Sequence, residues 1–409
     1  MPWLEITKVK QRSEFIRAIL SASMTMTAAC GHFGISRPTG YKWLARYRVL
    51  GIEGLNDQRR APKRTPHRTD GAVAAAVIHV RKTYPSWGPK KVRGFLRTKR
   101  PNVDWPAAST IGDILVRAGL VKARKRTRTR VPRSQPLANV RGPNDLWTMD
   151  FKGQFRLGDR TYCYPLTIVD AWSRMILACV ALPSVRTPSA HEHVERVFER
   201  FGLPQRIRTD NGAPFASRGI AGLSTLSARW QAIGIGIERI EPGHPEQNGS
   251  HERMHLTLKR ETTRPAAATM EGQQERFDDF IVYFNEIRPH EALGQKTPAS
   301  LYAPSTSRWD EQAPAYEDCD LVRKVQRNGM LGIRGRRHRV HVGLALIGLE
   351  IGLTEEADGL WLLRLGPKTL AMYDEEDMVL SRIPEDGLTE FAPAEVPDRR
   401  PGAKRGLAQ

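Results

Sequence analysis

Two acidic residues of this chain sit where acids are expensive. Asp150 lies in the apolar run Leu146-Trp147-Thr148-Met149-Asp150-Phe151, and Asp210 ends a strand-like stretch in Arg208-Thr209-Asp210-Asn211-Gly212. An ionised carboxylate loses hydration in such surroundings and must regain it from a cation or a hydrogen-bonded network. Taken singly, each acid reads more readily as a buried structural residue. Two of them in one strongly basic chain point to a divalent metal. Downstream, Pro242-Gly243-His244-Pro245-Glu246-Gln247-Asn248-Gly249 forms a loop that leads into a helical segment bearing Glu252. Three converging carboxylates can hold two Mg²⁺ ions roughly 3.5 to 4 Å apart, suited to an in-line phosphoryl displacement. One ion activates the attacking oxygen and the other stabilises the leaving one. The Asn211-Gly212 turn leaves room for a phosphate beside Asp210.

The third acid has two candidates. Counting the residues between, Glu246 lies 35 past Asp210 and Glu252 lies 41 past it. Glu246 falls in a Pro/Gly loop, whereas Glu252 falls in the first turn of a helix opened by Asn248 or Ser250, where its position can be fixed. The longer spacing is accounted for by the polar insert Ser217 to Ser227. On that helix Glu252, His255 and Lys259 share a face, which places Lys259 to meet a substrate phosphate. The same helix carries a competing signal. His251-Glu252-Arg253-Met254-His255 matches H-E-x-x-H, the zinc metalloprotease pattern. That alternative leaves Asp150, Asp210 and the basic half of the chain unexplained.

The bulk composition narrows the substrate. The 409 residues carry 64 Lys+Arg against 44 Asp+Glu, a net charge of +20, with an isoelectric point near 10.1. A polyanionic partner follows, and nucleic acid fits better than membrane. No run of about 18 apolar residues is present to span a bilayer, and the first residues lack a signal-peptide core, so a cytoplasmic, nucleoid-associated protein is expected. No Gly-x-x-x-x-Gly-Lys-Ser/Thr segment occurs, so no nucleotide cofactor is expected. Cys30, Cys163, Cys179 and Cys319 are scattered, and Cys163 and Cys179 read as small buried residues.

Several elements must position these groups. Residues 1–56 read as a helix-turn-helix domain, with a break at Gly34-Ile35-Ser36 between helices at Met26 to Phe33 and Arg37 to Arg48. Gly40, Trp43, Leu44 and Tyr47 fall on one side of the second helix, while Arg37, Thr39, Lys42 and Arg46 offer a polar, basic face suited to a major groove. Ser36 is a suitable N-cap. Gly40 inside a helix runs against its propensity by about 1 kcal/mol. Residues 69–121 read as a second helical DNA-binding domain. A basic linker at 122–143 includes Arg124, Lys125 and Arg126, placed to track phosphates. From 144 to 303 three strands in a meander, a helix, a strand and further helices imply a mixed sheet covered by helices. Residues 315–380 predict a small β-barrel, and 381–409 a disordered tail.

Trp147-Thr148-Met149-Asp150-Phe151, Thr209-Asp210-Asn211-Gly212 and the stretch from Pro242 to Arg253 resemble the catalytic signature of bacterial insertion-sequence transposases of the retroviral-integrase superfamily. Asn285-Glu286-Ile287-Arg288-Pro289-His290, followed by Lys296-Thr297-Pro298, resembles that family's post-catalytic helix. The likeness covers about Asn144 to Leu301. It implies an RNase H-like α/β catalytic core, a triad of Asp150, Asp210 and Glu252, two Mg²⁺ or Mn²⁺ ions, and DNA cleavage by water followed by strand transfer to target DNA. It favours Glu252 as the third acid, because the family's acid follows Gln-Asn-Gly. A multidomain α+β protein is thus expected, binding terminal inverted repeats and target double-stranded DNA as a homo-oligomer. A sequence-specific DNA-binding regulator with an inactive core is the other expectation from the same sequence.

Overall fold

The computed structural model describes residues 7–57, 69–121, 137, 139–217, 219–241, 245–309, 316–334 and 338–382. The chain divides into two compact units, Met1–Asp70 and Gly71–Gln409. Arg124, Lys125, Arg126 and the tail beyond residue 382 lie outside the described residues.

The first unit packs α1 (Lys8–Leu20), α2 (Met26–His32) and α3 (Arg37–Leu50) around Phe15, Ile16, Cys30, Trp43, Leu44 and Leu55. Thr7 and Thr25 cap the first two helices, each accepting a backbone N–H at 3.3 Å. Gly34 takes φ +63° in the tight turn, a conformation that costs glycine nothing. Ser36 occupies the N-cap of α3, but its hydroxyl bonds the Thr39 hydroxyl at 2.9 Å and caps no backbone N–H. Gly40 has a packing reason. A β-carbon there would lie 2.7 Å from Cys30 Sγ and 3.0 Å from Phe15 Cζ, so only glycine lets α2 approach α3 this closely.

The second unit begins with α4 (Gly71–Thr83), α5 (Pro89–Lys99) and α6 (Ala108–Arg117), which enclose Val77, Trp87, Val92, Trp105 and Ile111. Next come β1 (Leu146–Phe151), β2 (Phe155–Arg156), β3 (Tyr162–Asp170) and β4 (Ile176–Leu182), then α7 (Thr187–Phe201) and β5 (Arg206–Thr209). They are followed by α8 (Thr225–Ala232), β6 (Gly236–Arg239), α9 (Gly249–Thr262) and α10 (Met270–Val282), which runs on into a wide turn at Tyr283–Ile287. β4, β3 and β1 pair antiparallel, and β1, β5 and β6 pair parallel, so the sheet is mixed. The predicted first strand is two pieces, β1 and β2, both paired with β3.

Alternation along β1 sorts its side chains between two cores. Trp147 and Met149 join Val194, Phe198, Ile207 and Trp230, so α7 and α8 cover one face. On the other face Cys163, Ile176 and Cys179 join Met254, Leu258, Phe277 and Phe280 of α9 and α10. Asn285 fastens the end of this layer with a two-way bond to the Ile176 backbone, at 2.9 and 2.8 Å. The three-helix block docks on the same layer through Trp87 and Tyr283 and through Lys91, which donates to the Pro289 carbonyl at 2.8 Å.

The chain ends in β7 (Leu321–Lys324), β8 (Met330–Gly332), β9 (Arg339–His341), β10 (Glu350–Ala357), β11 (Leu360–Leu365), β12 (Lys368–Asp374) and β13 (Val379–Arg382). This region corrects the expected barrel. Five strands form an open antiparallel sheet in the order β13-β12-β11-β10-β7, β8 and β9 pair only with each other, and among the described residues no closure occurs. A barrel buries its apolar face against itself, whereas here Leu353, Trp361, Leu363 and Leu370 pack on Ile220, Leu223, Ala228 and Ala232 of the core. A second apolar surface removes the need to close. No helix among the described residues is long and apolar enough to cross a membrane.

Candidate active site

β1 and β5 bring the two aspartates together. Their parallel register pairs Leu146 with Arg206, Trp147 with Ile207 and Thr148 with Arg208, and that offset, carried two residues on, brings Asp150 near enough to Asp210 to feel its charge. Asp210 is steadied by the backbone N–H of Gly212, which donates to Oδ1 at 3.2 Å. Asn211 donates to the Ile240 carbonyl at 2.7 Å, tying the turn to the end of β6. Glu252 stands exposed in the first turn of α9, on the helix that covers this face of the sheet. The short helical turn Pro245–Asn248 before it is held by Arg208, which donates to the Gln247 carbonyl at 3.0 Å.

Electrostatics report the convergence. Burial pushes the Asp150 carboxyl up to about 7, with the Asp210 charge the next contribution and Glu252 adding to it. The Phe151 backbone N–H and Lys152 pull the other way and do not compensate. Among the described residues no Lys or Arg reaches within ion-pair distance of Asp150, whose only charged-type neighbour at that range is His255. A half-buried acid among other acids lacks positive charge, and a divalent cation supplies it.

Two histidines of α9 lie under the acids. His251 and His255 are 1% and 6% exposed, with rings meeting edge to face at 4.7 Å. Burial holds the imidazole of His251 down to about 3 and that of His255 to about 2, so both are neutral at physiological pH. The Thr167 hydroxyl contacts the Nε2 atoms of both rings at 2.7 Å and the Asp150 carbonyl at 3.0 Å. A hydroxyl has one hydrogen and a carbonyl can only accept, so Thr167 donates to Asp150 and both imidazoles donate Nε2–H to Thr167. His251 Nδ1, left without a hydrogen, then accepts from the Thr148 hydroxyl at 2.7 Å, a closer contact than that hydroxyl makes with the Val169 carbonyl at 3.3 Å. Both nitrogens of His251 are therefore engaged inside the protein, which does not suit the H-E-x-x-H zinc arrangement, where both rings must face the ion. Thr148 and Thr167 were not singled out by sequence; alternation along β1 put Thr148 beside Asp150, but its partner on α9 was not visible.

The proposed DNA-contacting residues are separate from this centre in sequence. Arg37 and Lys42 are exposed on α3, with Thr39 and Arg46 partly covered. Arg12 stacks over Trp43 at 3.9 Å, and Lys42 and Arg46 lie 5.4 and 5.1 Å from the same ring, gathering positive charge around one aromatic face. Lys259 is exposed two turns beyond Glu252 on α9.

A mixed six-strand sheet with two aspartates at adjacent strand ends, covered by helices on both faces, is the arrangement of an RNase H-like core. Residues 140–245 and 233–298 each match models of the integrase core domain. Residues 11–63 match a helix-turn-helix domain model and residues 39–115 a homeodomain-like one. Residues 140–298 thus carry an integrase core domain, and the chain is similar to proteins of bacterial insertion elements. It is 28% identical over 64% of its length to the uncharacterized 39.2 kDa protein of insertion element IS476 from Xanthomonas euvesicatoria, covering 73% of that protein. It is 27% identical to the uncharacterized 31.7 kDa protein of insertion element IS407 from Burkholderia multivorans, over 49% of this chain and 70% of that protein. Among solved structures, the HTLV-2 integrase catalytic core domain in complex with magnesium overlaps 40% of this chain and 100% of its own, with 16% identity and a TM-score of 0.32.

Proposed function

We propose that this chain is a DNA transposase that binds the ends of its element and carries out metal-dependent strand cleavage and strand transfer. The observation that carries the proposal is the raised Asp150 carboxyl, crowded by Asp210 and Glu252 at the ends of β1 and β5 and the start of α9. In this reading Asp150, Asp210 and Glu252 hold Mg²⁺ or Mn²⁺. Ions bound there supply Lewis acidity to the attacking and leaving oxygens of a phosphodiester. The protein's own part is to fix the carboxylates. β1 and β5 set the aspartates in adjacent strands, the Gly212 N–H orients Asp210, and Thr167 ties the Asp150 backbone to α9. Arg37, Thr39, Lys42 and Arg46 on α3 hold the element end, the basic linker with Arg124, Lys125 and Arg126 tracks backbone, and Lys259 meets a phosphate beside the acids. Two ends must be brought together for one reaction, so the chain acts as a homo-oligomer on DNA.

The test is strand transfer from a labelled element-end duplex into plasmid DNA with Mg²⁺ or Mn²⁺. Asp150→Asn and Asp210→Asn should abolish product while leaving end binding intact. Full strand transfer in Asp210→Asn would sink the proposal, and binding without any strand transfer in the wild-type chain would favour a DNA-binding regulator.

A further inference from the structure

The hydrogen-bond arithmetic around Thr167 leaves both Nδ1 atoms of the histidine pair without a hydrogen, and of these the Thr148 hydroxyl pairs with that of His251. His255 spends its N–H on Thr167 Oγ1, so its Nδ1 carries a lone pair, and that atom lies 3.7 Å from Asp150 Oδ2. With Asp150 ionised both atoms are acceptors, and they repel. The same pair is well arranged for one ion, because donors 3.7 Å apart both reach a cation about 2.1 Å away at an angle of roughly 120°. His251 cannot take that part, as Thr148 and Thr167 occupy its two nitrogens. The Thr167 contact is also the orienting bond that a metal-bound imidazole needs: the ring donates its far N–H to an oxygen, which fixes the tautomer and turns the bare nitrogen toward the ion. Asp150 retains 21% exposure of its side chain, so an ion can reach it from solvent.

We propose that His255 Nδ1 is a metal ligand beside Asp150, giving this centre a mixed nitrogen and oxygen donor set that selects a first-row transition ion, Mn²⁺ or its heavier neighbours, over Mg²⁺. Mg²⁺ is bound by oxygen in nearly all its protein sites, whereas imidazole suits the transition metals. The inference rests on the reading of Asp150 as a metal ligand and adds the donor that decides which metal.

Mn²⁺ bound to the full-length chain, examined by pulsed electron paramagnetic resonance, separates the two. Asp150-dependent binding, with a ¹⁴N modulation that changes on ¹⁵N-histidine labelling, is expected in the wild type. His255→Gln should lose the modulation and lower the ratio of Mn²⁺ to Mg²⁺ affinity on the order of tenfold. The wild-type spectrum alone can overturn the inference: Mn²⁺ lost in Asp150→Asn but showing no nitrogen coupling means His255 is not a ligand. A modulation that persists in His255→Gln means the same. If Mn²⁺ binding does not depend on Asp150, the metal reading itself fails, and this inference falls with it.

Discussion

The indole N–H of Trp87 donates to the Tyr283 hydroxyl at 2.6 Å, joining the helical block at 71–117 to the turn that ends α10. Tyr84 stacks on Trp87 at 4.1 Å and Tyr283 continues the stack, so three aromatic rings fasten the block to the layer that carries α9. Trp87→Phe should keep the packing and lose the bond, at about 1 kcal/mol. Tyr283→Ala should cost about 3 kcal/mol and make the block more sensitive to limited proteolysis. Unchanged cleavage in Tyr283→Ala would show that the stack does not hold the block in place.

Replacing Glu252 by Gln should reduce strand transfer by several kcal/mol in barrier height, on the order of 10³-fold, with end binding retained. Glu246→Gln should leave strand transfer close to wild type. The opposite ranking of the two variants would move the third acid into the loop.

The acid centre has a pH signature in the metal-free protein. Asp150 is raised from 3.8 to about 7 by burial and by Asp210, so the fold favours its neutral form. That contribution to stability is complete below about pH 4, declines as pH rises, and is gone above about pH 7. Asp150→Asn should therefore match wild type at low pH and exceed it at pH 8 by a few kcal/mol, or several degrees in Tm. Comparing the two proteins cancels the titration of His251 and His255, which they share. Adding Mn²⁺ should raise the wild-type Tm and leave the variant unmoved.

Gly40→Ala places a methyl against Cys30, Met26 and Phe15. The helix would gain propensity, about 1 kcal/mol, but overpacking of this kind costs about 1 to 3 kcal/mol, so the first unit should melt earlier. A rise in its Tm would mean that α2 and α3 separate easily.

Two cations should fail differently if they do the jobs assigned to them. Lys259→Ala should weaken all DNA about equally and lower the slope of log K against log salt by about 1. Arg37→Ala should cost about 1 to 3 kcal/mol on element ends and much less on unrelated duplex. Equal losses on both DNAs would place Arg37 on the backbone.

What could be read from the sequence was local. Asp150 and Asp210 stand out because each interrupts or ends an apolar run, and the parallel pairing of β1 with β5 explains why they meet. Gly40 looked like a fault in a helix, since propensity says nothing of a sulfur atom packed where a β-carbon would sit. His251 and His255 were legible as one face of a helix, yet only the placement of α9 over Thr148 and Thr167 decides which nitrogen points where. The expected barrel failed for a related reason. Alternation locates strands such as β10 and β11 but does not identify the surface that receives their apolar side.

That surface has a bearing on how the protein can be divided. Ile220, Leu223, Ala228 and Ala232, which carry the C-terminal sheet, lie in the chain between Asp210 and Glu252. Cutting the protein at a natural-looking boundary near residue 309 would strip the cover from a segment flanked by two of the three acids. The sheet is thus less an appendage than a wall shared by two rooms, and a shortened chain would inherit wet apolar surface within the stretch that separates Asp210 from Glu252.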